Sequence, residues 1–285
     1  MFNQVTIIGV GLIGGSFALA LDAAQAVKKV VGVGRSREAL QRALQLGVID
    51  EIAANEAEAV RHADLVLLAA PVAQTETILR AIAPHLGLRT IVTDAGSTKG
   101  DVVAAARRAL GGKFPQFVPA HPIAGKEQSG VDAAEAGLYR QRRCIVTPVS
   151  DTAGHALETV VETWKLCGAL VSEMTPEQHD QVFAAVSHLP HLLSFALVAA
   201  LAKEPDAAQK FAHAGGGFRD FTRIAASSPE MWRDICFANR AALLQELDAY
   251  EAELKLLRDY LNRNEVRALE QEFAQAREIR SALRF

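Results

Sequence analysis

Two stretches with different hydrophobic patterns make up the chain. Up to residue 173, short apolar runs alternate with alanine-rich segments of helical periodicity. Near-continuous apolar runs are typical of strands in a parallel sheet, because helices cover both faces of such a sheet. The predicted strands are 5–10, 30–34, 65–70, 90–94, 117–119, 144–147 and 169–173. The predicted helices between them include 16–26, 37–46, 75–85 and 99–110.

The second stretch, residues 174–285, has a helical pattern throughout. Thr175 and Pro176 predict a helix start, with threonine as the cap and proline at the first helical position. Breaks between helices are predicted at 215–217, a run of three glycines, and at 227–229, a Ser-Ser-Pro sequence. We therefore predict an α/β fold, with a doubly wound parallel sheet in residues 1–173 and an all-α domain in residues 174–285.

A stripe of large apolar residues lies in the helical stretch. Its members recur at spacings of three and four: Leu247, Tyr250, Leu254, Leu257 and Leu261. Such a stripe is either a buried helix face or a seam between two subunits, and the sequence favours neither.

Composition and charge narrow the class of protein. Half of the residues are apolar and 22% are charged, which is typical of globular proteins. The formal net charge is −3 and there is no basic block, so neither nucleic acid nor an anionic membrane is expected as a partner. The longest nearly apolar run, 192–202, is shorter than the roughly 20 residues of a membrane-spanning helix.

Cysteine usage and the N-terminus indicate the compartment. Cys144, Cys167 and Cys236 are too few for a disulfide framework or a thiolate zinc site. No basic stretch with a cleavage site precedes the first predicted strand. We expect a cytoplasmic protein.

A glycine motif follows the first strand and opens the first helix. Its residues are Gly9, Gly11, Leu12, Ile13 and Gly14. In this context, glycines allow a tight turn and close approach of the backbone to a pyrophosphate, which the helix N-terminus attracts. The pattern favours a dinucleotide site. An ordinary glycine-rich turn, or a nucleotide site of another kind such as one for a methyl donor, remains the alternative.

The end of the second strand bears on which dinucleotide binds. NAD sites usually place an acid there to hold the ribose 2′-hydroxyl, whereas this chain has Gly34, Arg35 and Ser36. Arginine and serine suit a 2′-phosphate, so the sequence favours NADP over NAD, although Arg35 could also be a solvated charge. Pro71 follows the strand 65–70, where the backbone is expected to line the nicotinamide side.

Candidate chemistry begins at His121, which lies between Pro119 and Pro122 at the end of a predicted strand. An imidazole held rigidly suits a fixed acid–base role, because its ordinary pKa lies near neutral pH. Three further histidines lie at 179–191, but no acidic or thiolate partners accompany them at ligand spacing, so no metal is expected. Arginines beside the glycine run suit a substrate with several carboxylates.

With these motifs the sequence resembles, over essentially its whole length, the prephenate/arogenate (cyclohexadienyl) dehydrogenases of tyrosine biosynthesis. The resemblance rests on GVGLIGGS (9–16), DAGSTK (94–99), HPIAGKEQSG (121–130), HDQVFAAVSHLPH (179–191) and GGGFRDFTRIA (215–225). It implies a Rossmann-like domain followed by a helical dimerisation domain, a homodimer, and an active site between the domains. The implied reaction is NAD(P)-dependent oxidative decarboxylation of prephenate, arogenate or both, giving 4-hydroxyphenylpyruvate or tyrosine.

The resemblance also assigns roles to single residues. His121 corresponds to the histidine that takes the proton of the substrate's ring hydroxyl, and Ser97 to the serine that positions this histidine and the hydroxyl. Arg223 corresponds to the arginine that binds a substrate carboxylate. The positions that line the substrate pocket are His191, Gly216 and Trp232. Family members often carry an acid at the end of the second strand, and its absence here again favours NADP.

Two alternative functions remain at this point. A β-hydroxyacid-type dehydrogenase would share the glycine motif but would normally carry a catalytic lysine in the helical domain, where the lysines here lie in no such constellation. A non-catalytic NADP-binding redox sensor would not need Ser97, His121 and Arg223 together. The sequence does not decide between prephenate and arogenate.

Overall fold

The computed structural model describes residues 1–126 and 128–283. Met1–Arg240 form one compact unit, and a second unit begins at Ala241. The strands, all in the first unit, are β1 (Val5–Ile8), β2 (Val30–Val33), β3 (Glu51–Ile52), β4 (Leu65–Leu68), β5 (Ile91–Asp94), β6 (Phe117–Val118), β7 (Ala120–Pro122), β8 (Arg143–Val146) and β9 (Leu170–Glu173).

The helices of the first unit are α1 (Leu12–Ala23), α2 (Arg37–Gln45), α3 (Glu56–Ala59), α4 (Thr75–Ile82), α5 (Gly100–Leu110), α6 (Gly154–Leu166), α7 (Pro176–Phe183), α8 (Leu189–Ala202), α9 (Ala207–Ala212), α10 (Gly216–Thr222) and α11 (Pro229–Ala238). Two helices remain, α12 (Arg240–Asn262), which starts at the last residue of the first unit, and α13 (Val266–Ala282) in the second. The predicted division at residue 173 stays a prediction.

Six strands form a parallel sheet in the order β3-β2-β1-β4-β5-β6, the order of a Rossmann-like doubly wound fold. β1, β2, β4 and β5 are buried along their whole length, because helices cover both faces. Within β1, Ile7 belongs to one apolar core and the adjacent Ile8 to the core on the opposite face. The predicted fold class is confirmed.

The predicted strands 144–147 and 169–173 do not join this sheet. They correspond to β8 and β9, which form a separate three-stranded sheet with β7. The reason is that the chain leaves β6 after two residues, and β7 pairs antiparallel with β8. The hydrophobic pattern predicted neither β7 nor the short β3. Because β7 includes His121, this residue lies within a strand and not, as predicted, after the end of one.

The predicted helix start is confirmed: the Thr175 side chain accepts from the Gln178 backbone and the Gln178 side chain accepts from the Thr175 backbone, a complete capping box. The helix then runs without a break from Pro176 to Ala202. Between α7 and α8 it widens into a π-turn, Ala184–His188. Pro190 follows this turn. Since proline has no N–H to donate to the preceding turn, the wider turn allows the helix to continue past it.

This continuous helix bears on the expectation that no segment is long enough to span a membrane. The helix has 27 residues and contains an 18-residue window with a mean hydropathy of 1.7, so among the described residues one helix is long and apolar enough to span a bilayer by length and composition alone. The apolar run 192–202, on which the sequence-based expectation rested, is only the last part of this helix, which begins at Pro176. The same helix carries Asp180 and three histidines, whose contacts are described below.

No residue of the apolar stripe on α12 is fully buried, and three of the five are half-buried. Leu254 is 48% exposed and Leu261 is 66% exposed. Of the two interpretations of the stripe, a seam between subunits is the one that agrees with this exposure.

Candidate active site

The turn at residues 9–14, here called the glycine turn, connects β1 to α1. Gly9 has a φ of +98°, and a Cβ there would lie 2.6 Å from the Ala69 carbonyl oxygen. A Cβ at Gly14 would lie 2.7 Å from Ile7 Cγ2 and would also collide with the Gly9 carbonyl oxygen. These two glycines are therefore required by the close packing of strand, turn and helix.

Gly11 differs, because a Cβ there would meet nothing within 4 Å. It is the N-cap of α1, makes no side-chain cap and is followed by no acid in the first turn. The N–H groups at Leu12 and Ile13, the first residues of α1, have no partner within the helix, and the helix end carries positive charge. Open space beside uncapped N–H groups fits the diphosphate of a dinucleotide.

At the end of β2, the Arg35 guanidinium is 69% exposed and lies 3.9 Å from Glu230 Oε1 at the start of α11. The Ser36 hydroxyl oxygen accepts from the Ala39 backbone N–H at 3.1 Å and caps α2, so its own proton is still available to donate. Beside Gly34 the nearest atom to an added Cβ would be 4.0 Å away. The loop itself has no acid at the position typical of NAD sites, but Glu230 of α11 places an acid beside Arg35.

The end of β4 brings the helical part of the chain to the sheet edge. Pro71 is half-buried and precedes a 3₁₀ turn, Val72–Gln74. α11 packs against this turn. Residues of the helical stretch thus lie beside the carboxyl ends of the parallel strands, where ligands bind in such sheets.

A buried ion pair fixes the end of β5. Lys99 Nζ lies 2.5 Å from Asp94 Oδ2, and both side chains are almost completely buried. The second Asp94 oxygen accepts from the Ala120 N–H at 3.0 Å, while Lys99 Nζ donates to the Ala120 carbonyl at 2.8 Å. Because both charged groups bond to each other and to the Ala120 backbone, the pair holds the residue that precedes His121 rigidly.

From β7 a chain of hydrogen bonds runs to the long helix. His121 Nδ1 lies 2.8 Å from His179 Nε2, and His179 Nδ1 lies 2.8 Å from Asp180 Oδ1. Asp180 in turn accepts from the backbone N–H groups of Lys99 and Gly100, each at 2.8 Å, at the start of α5. The Phe183 ring lies 4.9 Å from the His121 ring and 4.5 Å from the His179 ring, centroid to centroid.

Burial sets the protonation of this chain. It lowers the pKa of His121 well below its ordinary value, and repulsion from His179 and Lys99 lowers it further. Burial also lowers the pKa of His179, although its bond to Asp180 acts in the opposite direction. Burial raises the pKa of Asp180, but hydrogen bonds from His179, Gly100 and Lys99 outweigh it, so this pKa lies below its ordinary value. His121 and His179 are therefore neutral imidazoles, and Asp180 is an ionised carboxylate.

A third imidazole, His188, is buried in the π-turn. The Asn239 side-chain amide donates to His188 Nδ1 at 3.1 Å and to the Asp180 carbonyl at 2.7 Å. Burial lowers the His188 pKa to about 4, and Ser97 lies near enough for its backbone to raise that pKa slightly. His188 Nε2 is buried, and no described group reaches it with hydrogen-bond geometry. We call His121, His179, His188 and His191 the imidazole cluster.

Residues predicted to bind substrate meet around Trp232. The His191 ring stacks on the Trp232 ring with centroids 3.6 Å apart, and His191 Nδ1 lies 2.9 Å from the Ser187 carbonyl oxygen. Burial lowers the His191 pKa, and the charge of Arg223 lowers it further, so the guanidinium lies near the imidazole. The structure therefore groups His191, Trp232 and Arg223.

Two predicted site residues are placed less closely. Gly216 is exposed at the first position of α10, with nothing within 4 Å of an added Cβ. Ser97 lies beside His188, and among the described residues no hydrogen bond joins its hydroxyl to His121, whose Nδ1 bonds to His179. No group of three possible metal-ligating side chains occurs in residues 1–126 and 128–283.

Lys99, His179, Asp180 and Asn239 were not predicted as site residues. Lys99, His179 and Asp180 lie inside the motif strings 94–99 and 179–191, and the concentration of histidines at 179–191 also pointed to His179. Asn239 lies outside all of the motifs, and nothing in the sequence singled it out.

Comparisons with known proteins agree with this architecture. Residues 17–173 match the family described as prephenate dehydrogenase, nucleotide-binding domain, and residues 175–275 match prephenate dehydrogenase, dimerization domain. Prephenate dehydrogenase of Bacillus subtilis is 38% identical over 99% of this chain and 76% of that protein. Cyclohexadienyl dehydrogenase of Zymomonas mobilis is 35% identical over 100% of this chain and 97% of that protein.

Among solved structures, prephenate dehydrogenase from Aquifex aeolicus in complex with hydroxyphenyl propionate and NAD+ is 37% identical, with a TM-score of 0.93 over 99% of this chain and 98% of that one. These matches do not favour the β-hydroxyacid dehydrogenase or the redox sensor. The chain belongs to the prephenate dehydrogenase family.

Proposed function

We propose that this protein catalyses the NAD(P)-dependent oxidative decarboxylation of prephenate, arogenate or both, giving 4-hydroxyphenylpyruvate or tyrosine. The observation that carries the proposal is the chain from His121 through His179 to Asp180, held beside a sheet edge whose glycine turn fits a dinucleotide. Family membership supports the same reaction, since its members named above are prephenate and cyclohexadienyl dehydrogenases.

His121 is the proposed catalytic base. Its low pKa keeps the imidazole neutral near pH 7, and Nε2 makes no hydrogen bond with the described residues. Nε2 accepts the proton of the substrate's ring hydroxyl while hydride leaves the same carbon. The nicotinamide, when bound, accepts that hydride, and loss of carbon dioxide makes the ring aromatic. Ser97 is proposed to position the hydroxyl and His121 once substrate is present.

Substrate binding is proposed for the group around Trp232. The Arg223 guanidinium suits bidentate binding of a carboxylate, and its position near His191 places that charge beside the imidazole cluster. The stacked rings of His191 and Trp232 supply a flat wall for the substrate ring. Gly216 is proposed to leave room at the pocket mouth, because it carries no side chain.

The cofactor is proposed to lie along the glycine turn, with Gly9, Gly11 and Gly14 shaping the turn and the N–H groups at Leu12 and Ile13 facing the diphosphate. Pro71 is proposed to line the nicotinamide side.

We further propose that NADP is preferred over NAD. The exposed Arg35 guanidinium and the Ser36 hydroxyl both suit a 2′-phosphate. Two observations oppose this preference: Glu230 holds an acid beside Arg35, and the Aquifex aeolicus structure contains NAD+.

The remaining proposals concern assembly and location. A homodimer is proposed, because residues 175–275 match a dimerization domain and α12 exposes Leu254 and Leu261.

We propose that the domain division lies at 173/174, immediately after β9, where the strands end. We also propose a cytoplasmic location, with neither nucleic acid nor membrane as a partner; this rests on the charge balance and the cysteine usage.

The test is a set of initial rates of reduced nicotinamide formation, with prephenate and arogenate each combined with NADP and NAD. Turnover is expected, and the best pair of substrate and cofactor decides both preferences. If folded protein that binds NADP or NAD turned over neither substrate, the proposed function would be refuted. Faster turnover with NAD than with NADP would refute only the cofactor preference.

A further inference from the structure

We propose that His179 and Asp180 are positioning residues that fix the tautomer of His121, so that the proton is on Nδ1 and the lone pair is on Nε2. The kinetic part of this inference rests on the proposed function, whereas the tautomer itself does not.

Backbone N–H groups anchor both oxygens of the Asp180 carboxylate, which also accepts from the His179 side chain. Its two oxygens accept from the N–H groups of Lys99 and Gly100 at the start of α5, a helix of 11 residues. A Cβ at residue 100 would lie 3.0 Å from Asp180 Oδ2, so glycine there lets the carboxylate come close to the helix end. The positive end of the helix stabilises the ionised form.

The ionised carboxylate determines each proton of the chain. A carboxylate can only accept, so His179 Nδ1 must donate to it across the 2.8 Å bond. Neutral His179 then has a lone pair on Nε2, which accepts from His121 Nδ1 across the second 2.8 Å bond. His121 Nε2 is left without a proton, as a base that receives the substrate proton requires.

The chain has little freedom to rearrange. His179 is completely buried, and its ring packs against Phe183. The Asn239 amide holds the Asp180 backbone carbonyl at 2.7 Å. The other charged or titratable groups near the chain are Lys99, which is paired with Asp94, His188, and Asp101, whose charge repels that of Asp180. None of these reverses the assignment, because Lys99 donates to Asp94 and Ala120, and Asn239 donates to His188 Nδ1.

The first test is the tautomer of the wild-type protein. In protein labelled with ¹⁵N-histidine, with the His121 signals assigned by their loss in His121→Asn, we expect a protonated Nδ1 and an unprotonated Nε2. A proton on Nε2 overturns the proposal without any further variant.

Two variants test the origin of the tautomer. His179→Phe keeps a ring beside Phe183 but removes the acceptor, and Asp180→Ala lets His179 carry its proton on Nε2, which reverses the chain. In both, we expect the His121 proton to move towards Nε2, and kcat to fall about 10- to 100-fold with little change in KM. Folded variants with an unchanged tautomer and unchanged kcat would show that the contacts are only structural.

Asp64→Ala is the matched control for Asp180→Ala. Asp64 also accepts from two backbone N–H groups, those of Asn3 and Gln4, but it lies immediately before β4, at the amino ends of the parallel strands and away from the candidate site. We expect normal kcat and an unchanged His121 tautomer in this control. If the wild type had the expected tautomer but turned over neither substrate, the proposed function would fail while the assignment of the tautomer would stand.

Discussion

The candidate site has two parts, the glycine turn and the imidazole cluster. The first is built mainly from backbone and the second from side chains. In the glycine turn, Gly9 and Gly14 let backbone pack on backbone, and Gly11 leaves space beside a bare helix end. In the imidazole cluster, buried and half-buried side chains bond to each other and to backbone. The first part binds by shape and backbone dipoles, and the second acts through where its protons lie.

This difference determines which changes disrupt each part of the site. A backbone site has no titratable group, so it depends on volume and is insensitive to pH. Buried imidazoles must stay neutral, and a change of one partner leaves another polar atom without a bond. His188 Nε2 and Trp232 Nε1 already lack a described hydrogen-bond partner. We therefore expect the two parts to respond to different perturbations.

The largest expected effect is on chemistry in the imidazole cluster. His121→Asn removes the proposed base, and kcat should fall about 10²–10⁴-fold, the usual range for a general base, with little change in KM. The measurement is steady-state kinetics with the best substrate and cofactor pair, at matched folded concentration.

The control for this variant is cofactor affinity. The glycine turn contains no imidazole, so His121→Asn should bind the dinucleotide as the wild type does. Unaltered turnover would contradict the role of His121 as base. A large loss of cofactor binding would show that the two parts are not independent.

The glycine turn itself is tested by a pair of variants. Gly14→Ala puts a Cβ against Ile7 and the Gly9 carbonyl, and should destabilise the fold by about 3 kcal/mol. Gly11→Ala meets nothing in the protein, so the unfolding midpoint should stay unchanged, while cofactor affinity falls about tenfold because the methyl group fills the ligand's space. Urea unfolding and fluorescence titration with NADP and NAD measure both effects.

Equal stability losses in the two variants would contradict the different roles of Gly11 and Gly14. Normal cofactor binding by Gly11→Ala would mean that the diphosphate lies elsewhere.

Much of the fold could be predicted because its signals are local. The motif at residues 9–14 and the apolar runs of β1, β2, β4 and β5 each lie within a few consecutive residues. The short β3 and β7 were missed, since two or three residues show no reliable periodicity.

The contacts of the imidazole cluster were not predictable, because they join distant parts of the chain. His121 and His179 are 58 residues apart, and the Lys99 N–H that anchors Asp180 is 81 residues from it. His179 and Asp180 are also adjacent in a helix, where neighbouring side chains point in different directions, so their sequence gives no reason to place both in one chain of bonds. Resemblance to a family suggested a role for His121 and named Ser97 as the residue that positions it, but did not indicate the bond to His179.

The imidazole cluster should also make stability depend on pH. His188 has a pKa of about 4 in the folded protein and about 6.5 when unfolded. Between these values the unfolded chain binds the extra proton, so stability is lost as the pH falls. The expected loss from this group is about 2 kcal/mol between pH 7 and pH 5. Urea unfolding of the wild type and His188→Gln at both pH values, at one protein concentration, measures it.

His155→Gln is the control for that experiment, because His155 is an exposed imidazole bonded to Gln116. It should keep the wild-type dependence on pH, whereas His188→Gln should lose part of it. An unchanged dependence in His188→Gln would contradict the burial of a neutral imidazole at this position.

The smallest expected effect lies at the edge of the cofactor site. Arg35→Ala removes an exposed cation, so NADP affinity should fall about tenfold and NAD affinity should stay close to normal. Glu230→Gln removes the acid that faces Arg35, and should favour NADP over NAD because the guanidinium is then available to a 2′-phosphate. Equal changes for both cofactors in Arg35→Ala would mean that the arginine is a solvated charge, and the absence of an acid in its loop would then not indicate NADP.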